Sequence, residues 1–190
     1  MGDLGMHVLH LPLRFGWRPH SIHAVLSNII KERVTASGEK VSCDTWDNAY
    51  ISCEVKTEKN PFPMILSFKR MAPGHNNTWF IRIEGTKGSI EYSTKCPKQL
   101  KYMSYRAGKE QAWQVLDVNY ESAYKMITGP IFKFGFSDSI LQMWASFCEE
   151  AANGGTSQPL YCVTPEETAE SHRIFTAALE SYKRGEKILV

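Results

Sequence analysis

At 190 residues, 43% apolar and with a formal net charge of +2, the chain is long enough to bury the core of one domain and carries no charge imbalance. Lys and Arg are scattered among Asp and Glu without a basic stripe, so neither nucleic acid nor an anionic membrane surface is implied as a partner. No apolar run approaches the roughly 20 residues of a spanning helix, and the opening MGDLGMHVLHLPLRFGW lacks a basic n-region and a small-residue cleavage site. Five widely spaced cysteines without a Cys-x-x-Cys suit reduced thiols in a cytoplasm rather than a disulfide framework.

Residues 3–15 read as a helix, with Leu4, Val8 and Leu11 as its apolar stripe and Gly16 as its stop. Pro12 removes the amide that would bond the Val8 carbonyl, which predicts a kink or an early end. SIHAVLSNII (21–30) is a β-prone run, followed by the polar excursion KERVTASGEK (31–40), expected to be a mobile loop. In DNAYISCEVK, Ala49, Ile51, Cys53 and Val55 alternate with Tyr50, Ser52, Glu54 and Lys56, the period of a strand with one buried face. FPMILSFKR is a further strand. Trp79, Ile81 and Ile83 lead through a turn at Gly85–Gly88 into Ile90 and Tyr92, a β-hairpin. LKYMSY and AWQVLDVN (112–119) read as two more strands joined at Ala107–Gly108.

The period then changes. Ser137 is a candidate cap for a helix to about Ala152, with Ile140, Leu141, Trp144, Phe147, Cys148 and Ala151 on one face and NGG as its end. TPEE at 164–167 is a capping box with proline at the first helical position. The helix it opens buries Ile174, Phe175, Ala178 and Tyr182 and stops at Gly185, and KILV adds a short closing strand. The order predicts an α+β fold: an open, mostly antiparallel sheet of about six or seven strands with helices packed on one face.

Asp3 and His7 are four apart, which on a helix places them on one face with about 5–6 Å between Cβ atoms. A carboxylate so placed orients an imidazole for general acid–base chemistry. The same spacing also suits an N-terminal Asp favoured by the helix dipole, with a His that happens to follow. Asp3, His7 and His10 together offer three ligands to a catalytic metal, the basis of a metal-dependent hydrolase reading, but no fourth partner is evident from a distant element. His20, His23, His75 and His172 are scattered, and Lys69 and Arg70 end a strand where an anion could bind. No dinucleotide fingerprint, P-loop or nucleophile elbow occurs. The glycines of EGTKGS fit a hairpin turn with no helix after it to receive phosphate.

Taken together, GDLGMHVLHLPLRFGW, CDTWDNAYISCEV, IEGTKGSIEYST and TPEETAESHRIFTAALESYKRGEKILV resemble, in order and over the whole chain, the C-terminal domain of the Gfo/Idh/MocA oxidoreductases, the glucose–fructose oxidoreductase and inositol dehydrogenase group. The resemblance implies that residues 1–190 are a substrate-binding and oligomerisation domain. The Rossmann domain of roughly 120–150 residues that precedes it in the family, with its Glu-Lys-Pro lysine, would lie outside this sequence. It implies Asp3 and His7 as the acid–base pair beside a sugar or polyol, and His10, where the family often has Asp, as a substrate contact. NAD or NADP would serve the full-length protein, with none bound by this chain alone, and a homodimer would form through the exposed sheet face. A non-enzymatic sugar- or partner-binding module is the alternative from a different class.

Overall fold

The computed structural model describes residues 2–118, 122–127, 129–132, 134–155 and 161–190. Among these are three α-helices and ten strands, every strand pair antiparallel, so the fold is α+β with open sheets. The strands form two four-stranded sheets and a two-stranded ribbon. The chain divides into two compact units, one made of residues 1–74 and 163–190, the other of residues 75–162.

In the first unit, α1 (Gly2–Arg14), β1 (Pro19–Ser27), the ribbon β2 (Glu32–Val34) and β3 (Lys40–Ser42), β4 (Asn48–Val55) and β5 (Phe62–Lys69) are followed, after the other unit, by α3 (Pro165–Arg184) and β10 (Ile188–Leu189). The sheet order is β10-β1-β4-β5. Ile22, Ala24 and Leu26 of β1, Ala49, Ile51 and Cys53 of β4, and Leu66 and Phe68 of β5 form one face, buried against Leu9 and Leu13 of α1 and Ile174, Phe175 and Ala178 of α3. The alternation expected of β4 is thus the alternation observed. The opposite face carries His23, Val25, Tyr50, Ser52 and Ile65, all exposed.

Pro12 does not end α1. It falls in the last turn, and the helix runs on to Arg14. The end is closed by the Trp17 N–H donating to the Pro12 carbonyl at 2.9 Å, with Gly16 at φ +74°. The buried face is also rotated from the predicted stripe. Gly5, Leu9, Pro12 and Leu13 are buried, while Leu4, Val8 and Leu11 are half-buried. The reason is Gly5: its missing side chain lets the helix approach Phe175 at that edge.

The segment expected to be a mobile loop is the ribbon β2–β3, paired Glu32–Ser42, Arg33–Val41 and Val34–Lys40, with Gly38 at φ +84° in its turn. Its base is pinned by Asp47, a buried carboxylate whose Oδ2 accepts from the Ile29 and Ile30 N–H groups at 2.8 and 2.7 Å and whose Oδ1 lies 3.2 Å from Arg33 Nη2. On the last helix, Tyr182 is partly exposed rather than buried and stacks edge-on against Trp46, ring centroids 4.8 Å apart.

The second unit holds the meander β6 (Phe80–Gly85), β7 (Gly88–Ser93), β8 (Gln99–Ser104) and β9 (Gln114–Asp117), in that spatial order, and the helix α2 (Phe136–Asn153). The hairpin turn is at Gly85–Gly88 as read from the sequence, and a Cβ on Gly88 would stand 2.4 Å from the Met103 carbonyl oxygen, so the neighbouring strand requires glycine there. Asn119, the last residue of the strand predicted over 112–119, lies outside the described residues. The cap of α2 is Gly135, not Ser137. Asp138 Oδ2 accepts from the Gly135 N–H at 2.7 Å, and Gly154 closes the other end at φ +70°. On the apolar face read from the sequence, Ile140, Trp144 and Phe147 are exposed, and Ser146 is the buried residue of this helix.

Candidate functional site

One face of the N-terminal half of α1 is turned to solvent. Asp3 keeps 68% of its side chain in solvent and His7 is exposed, so both are accessible. They are not bonded to each other among the described residues. Asp3 Oδ2 instead lies 3.6 Å from Nη1 of Arg70, which follows β5 on the helix-covered side of the sheet and whose N–H donates to the Asp47 carbonyl at 2.8 Å. Arg70, read from sequence as a strand end where an anion could bind, is the residue that faces the candidate carboxylate.

His10 is placed differently. Its Nδ1 is 2.9 Å from Glu167 Oε1, and Arg14 Nε is 3.2 Å from Glu167 Oε2. Glu167 thus completes only half of the predicted capping box: its N–H donates to Thr164 Oγ1 at 3.2 Å, but its carboxylate turns to α1. Neither Glu167 nor Arg14 was singled out as a site residue by sequence reasoning. The one signal was the i, i+4 spacing of His10 and Arg14.

Asp3, facing Arg70, and His10, facing Glu167, do not converge with His7 on a common point. Among the described residues no three His, Cys, Asp or Glu side chains are grouped to hold a metal. The turn of EGTKGS joins β6 to β7, so its glycines form no strand-to-helix cradle for a pyrophosphate. No helix among them is long and apolar enough to cross a membrane.

A shallow hollow of about 400 Å³ lies on the sheet face opposite the helices, lined by Ser21, His23, Ser52, Glu54, Phe62 and Lys187 among others. Lys187 Nζ, 2.6 Å from Glu54 Oε2, holds that carboxyl below its ordinary value, with help from the Ser21 hydroxyl. On the same face Lys69 Nζ stands 5.1 Å from the Tyr50 ring centroid and lowers the phenol's pKa. This face is opposite the one that α1 covers.

No family profile and no curated protein matches the sequence. Solved structures do. Levoglucosan dehydrogenase in complex with NADH and L-sorbose superposes with a TM-score of 0.77 at 20% identity, covering 99% of this chain and 50% of that one. An oxidoreductase from Sinorhizobium meliloti superposes with a TM-score of 0.76 at 19% identity, covering 98% of this chain and 51% of that one. The likeness is one of fold. It extends to a super-repressor mutant of Gal80p from Saccharomyces cerevisiae, with a TM-score of 0.65, 18% identity and coverage of 98% and 48%. This chain spans about half the length of each of these structures.

Proposed function

We propose that this chain is the substrate-binding half of an NAD(P)-dependent oxidoreductase of the Gfo/Idh/MocA type, acting on a sugar or polyol. The observation that carries this reading is the pairing of that half-length fold with an α1 whose Asp3 and His7 stand open to solvent. His7 moves the proton of the reacting hydroxyl or carbonyl. Asp3, four residues earlier on the same helix, turns from Arg70 to orient and charge-balance the imidazole as substrate arrives. His10 contacts the substrate. A nicotinamide, held by residues outside this chain, supplies the hydride chemistry. The test uses the longer polypeptide that carries this domain, assayed with a panel of sugars and polyols and both cofactors. His7→Ala is expected to lower turnover about 10²-fold or more while leaving cofactor affinity intact; unchanged turnover overturns the assignment.

A second reading, a non-enzymatic module that pairs through its sheet, is favoured by the exposed Val25, Tyr50 and Ile65 on one face of β1, β4 and β5. The same face is where we place the homodimer contact of the first reading. Native mass spectrometry of the 190-residue chain checks the pairing, and a strict monomer at tens of micromolar counts against a dimer in either reading.

A further inference from the structure

His10 sits at a junction of two helices. Glu167 and Arg14 are nearly buried, at 13% and 8% side-chain exposure, while the His10 ring keeps 43% in solvent. One edge of the ring therefore meets a buried ion pair, and part of the ring is exposed. Glu167 is itself constrained, because it is the third residue of α3 and its N–H is bound by the Thr164 hydroxyl oxygen.

In a neutral imidazole, the bond made by one ring nitrogen decides the state of the other. A carboxylate only accepts. Arg14 stands on the other oxygen of Glu167, and Oε1 takes an N–H from His10 Nδ1. We infer that Glu167 holds His10 in the Nδ1–H form, leaving Nε2 as an acceptor on the open side of α1, so that His10 selects ligands presenting a donor: the hydroxyl of a neutral polyol, against the carboxylate or phosphate of an acidic sugar. Glu167 is a positioning residue and acts through the ring. The tautomer stands on the geometry alone; the ligand class rests on the reading of α1 as the substrate-facing helix.

The experiment is long-range ¹H–¹⁵N correlation on the labelled 190-residue chain, following the neutral His10 ring, assigned by its loss in His10→Gln. The expected result is a protonated-type Nδ1 and an unprotonated-type Nε2; the reverse in the wild-type protein overturns the inference without recourse to any variant. Glu167→Gln, whose amide oxygen still accepts, is expected to keep the pattern, and a folded Glu167→Ala to lose it. Retention by Glu167→Ala overturns the role of Glu167. Sorbitol and gluconate are then titrated against the same signals. Sorbitol is expected to shift Nε2 with an affinity about tenfold or more above that of gluconate. Equal or stronger response to gluconate overturns the donor preference. If the tautomer is as stated but neither compound moves His7 or His10, the substrate-facing reading of α1 fails and the ligand class fails with it, while the Glu167–His10 arrangement survives.

Discussion

Gly5 stands against the ring of Phe175: a Cβ built on it would lie 2.3 Å from Cζ and 2.6 Å from Cε1. The ring has little room to give way, since Phe175 is buried and packs edge-on against Phe68 with centroids 6.1 Å apart. A methyl group there must push α1, and with it Asp3 and His7, off the sheet. Overpacking of this kind costs about 1–3 kcal/mol, partly offset by the roughly 1 kcal/mol that alanine gains over glycine inside a helix. Gly5→Ala is therefore expected to lower stability on balance, measured by urea unfolding followed by circular dichroism. A stabilised variant would show that the contact is slack.

Ser181 is, with Ser171, one of two polar residues in the buried stripe of α3. β10 ends after pairing with Ser21 and Ile22, so the next amide of β1 on that side, Ala24, has no strand partner. Its N–H donates to Ser181 Oγ at 3.0 Å, and the hydroxyl donates in turn to the Glu186 carbonyl at 2.6 Å. Ser181→Ala keeps the volume nearly unchanged but leaves the buried amide unsatisfied, at a cost of about 1–3 kcal/mol. Hydrogen exchange gives the specific signature: the Ala24 amide is expected to lose protection more than its neighbours in β1.

Burial pushes the Cys53 thiol up to about 12, from an ordinary value of 9.0. The unfolded chain releases this proton first, so the native state binds more protons between those values. The stability Cys53 contributes is complete below about pH 9 and is lost as pH rises toward 12. Cys53→Ala is expected to flatten that part of the stability curve relative to wild type. At neutral pH the same chemistry predicts that iodoacetamide labels Cys43 well before Cys53. The Thr45 hydroxyl and then the Arg33 guanidinium lower the Cys43 thiol, and it is only half-buried. Peptide mass spectrometry reads the order.

Asp47 has the opposite sign. The Ile30 N–H, then the Ile29 N–H and Arg33, hold its carboxyl below the ordinary 3.8, against desolvation, which raises it. The native carboxylate thus stabilises the fold above that value, and the contribution disappears as pH falls through the lower native one. Thermal melts between pH 6 and pH 2.5 are expected to fall less steeply for Asp47→Asn than for wild type, with the ribbon β2–β3 the first segment to lose amide protection.

For His7 the structure predicts little effect on folding. The side chain is exposed, so His7→Ala in this chain is expected to change stability by no more than about 0.5 kcal/mol. A larger loss in a thermal melt assigns His7 a structural role and removes the simplest reason for an open imidazole on α1.

The sequence alone determined the local elements, because their signals are local. The two-residue period of β4, the turn glycines of the β6–β7 hairpin, and the Thr164 and Gly185 caps of α3 each act within a few residues, and each was found where it was read. Tertiary structure decided the rest. The ribbon β2–β3 is exposed on both faces and so left no periodic trace; it is fixed by Asp47, which bonds Ile29, Ile30 and Arg33, 14 to 18 positions before it. The buried face of α1 depends on Phe175 meeting Gly5, and Asp3 meets Arg70 only because β5 ends beside the first turn of α1. Glu167 satisfied a capping pattern in sequence, yet its carboxylate serves His10, 157 positions away. A side chain with two competing partners takes the one that folding brings within reach and shields from water. That choice belongs to the packed chain, and no local pattern records it.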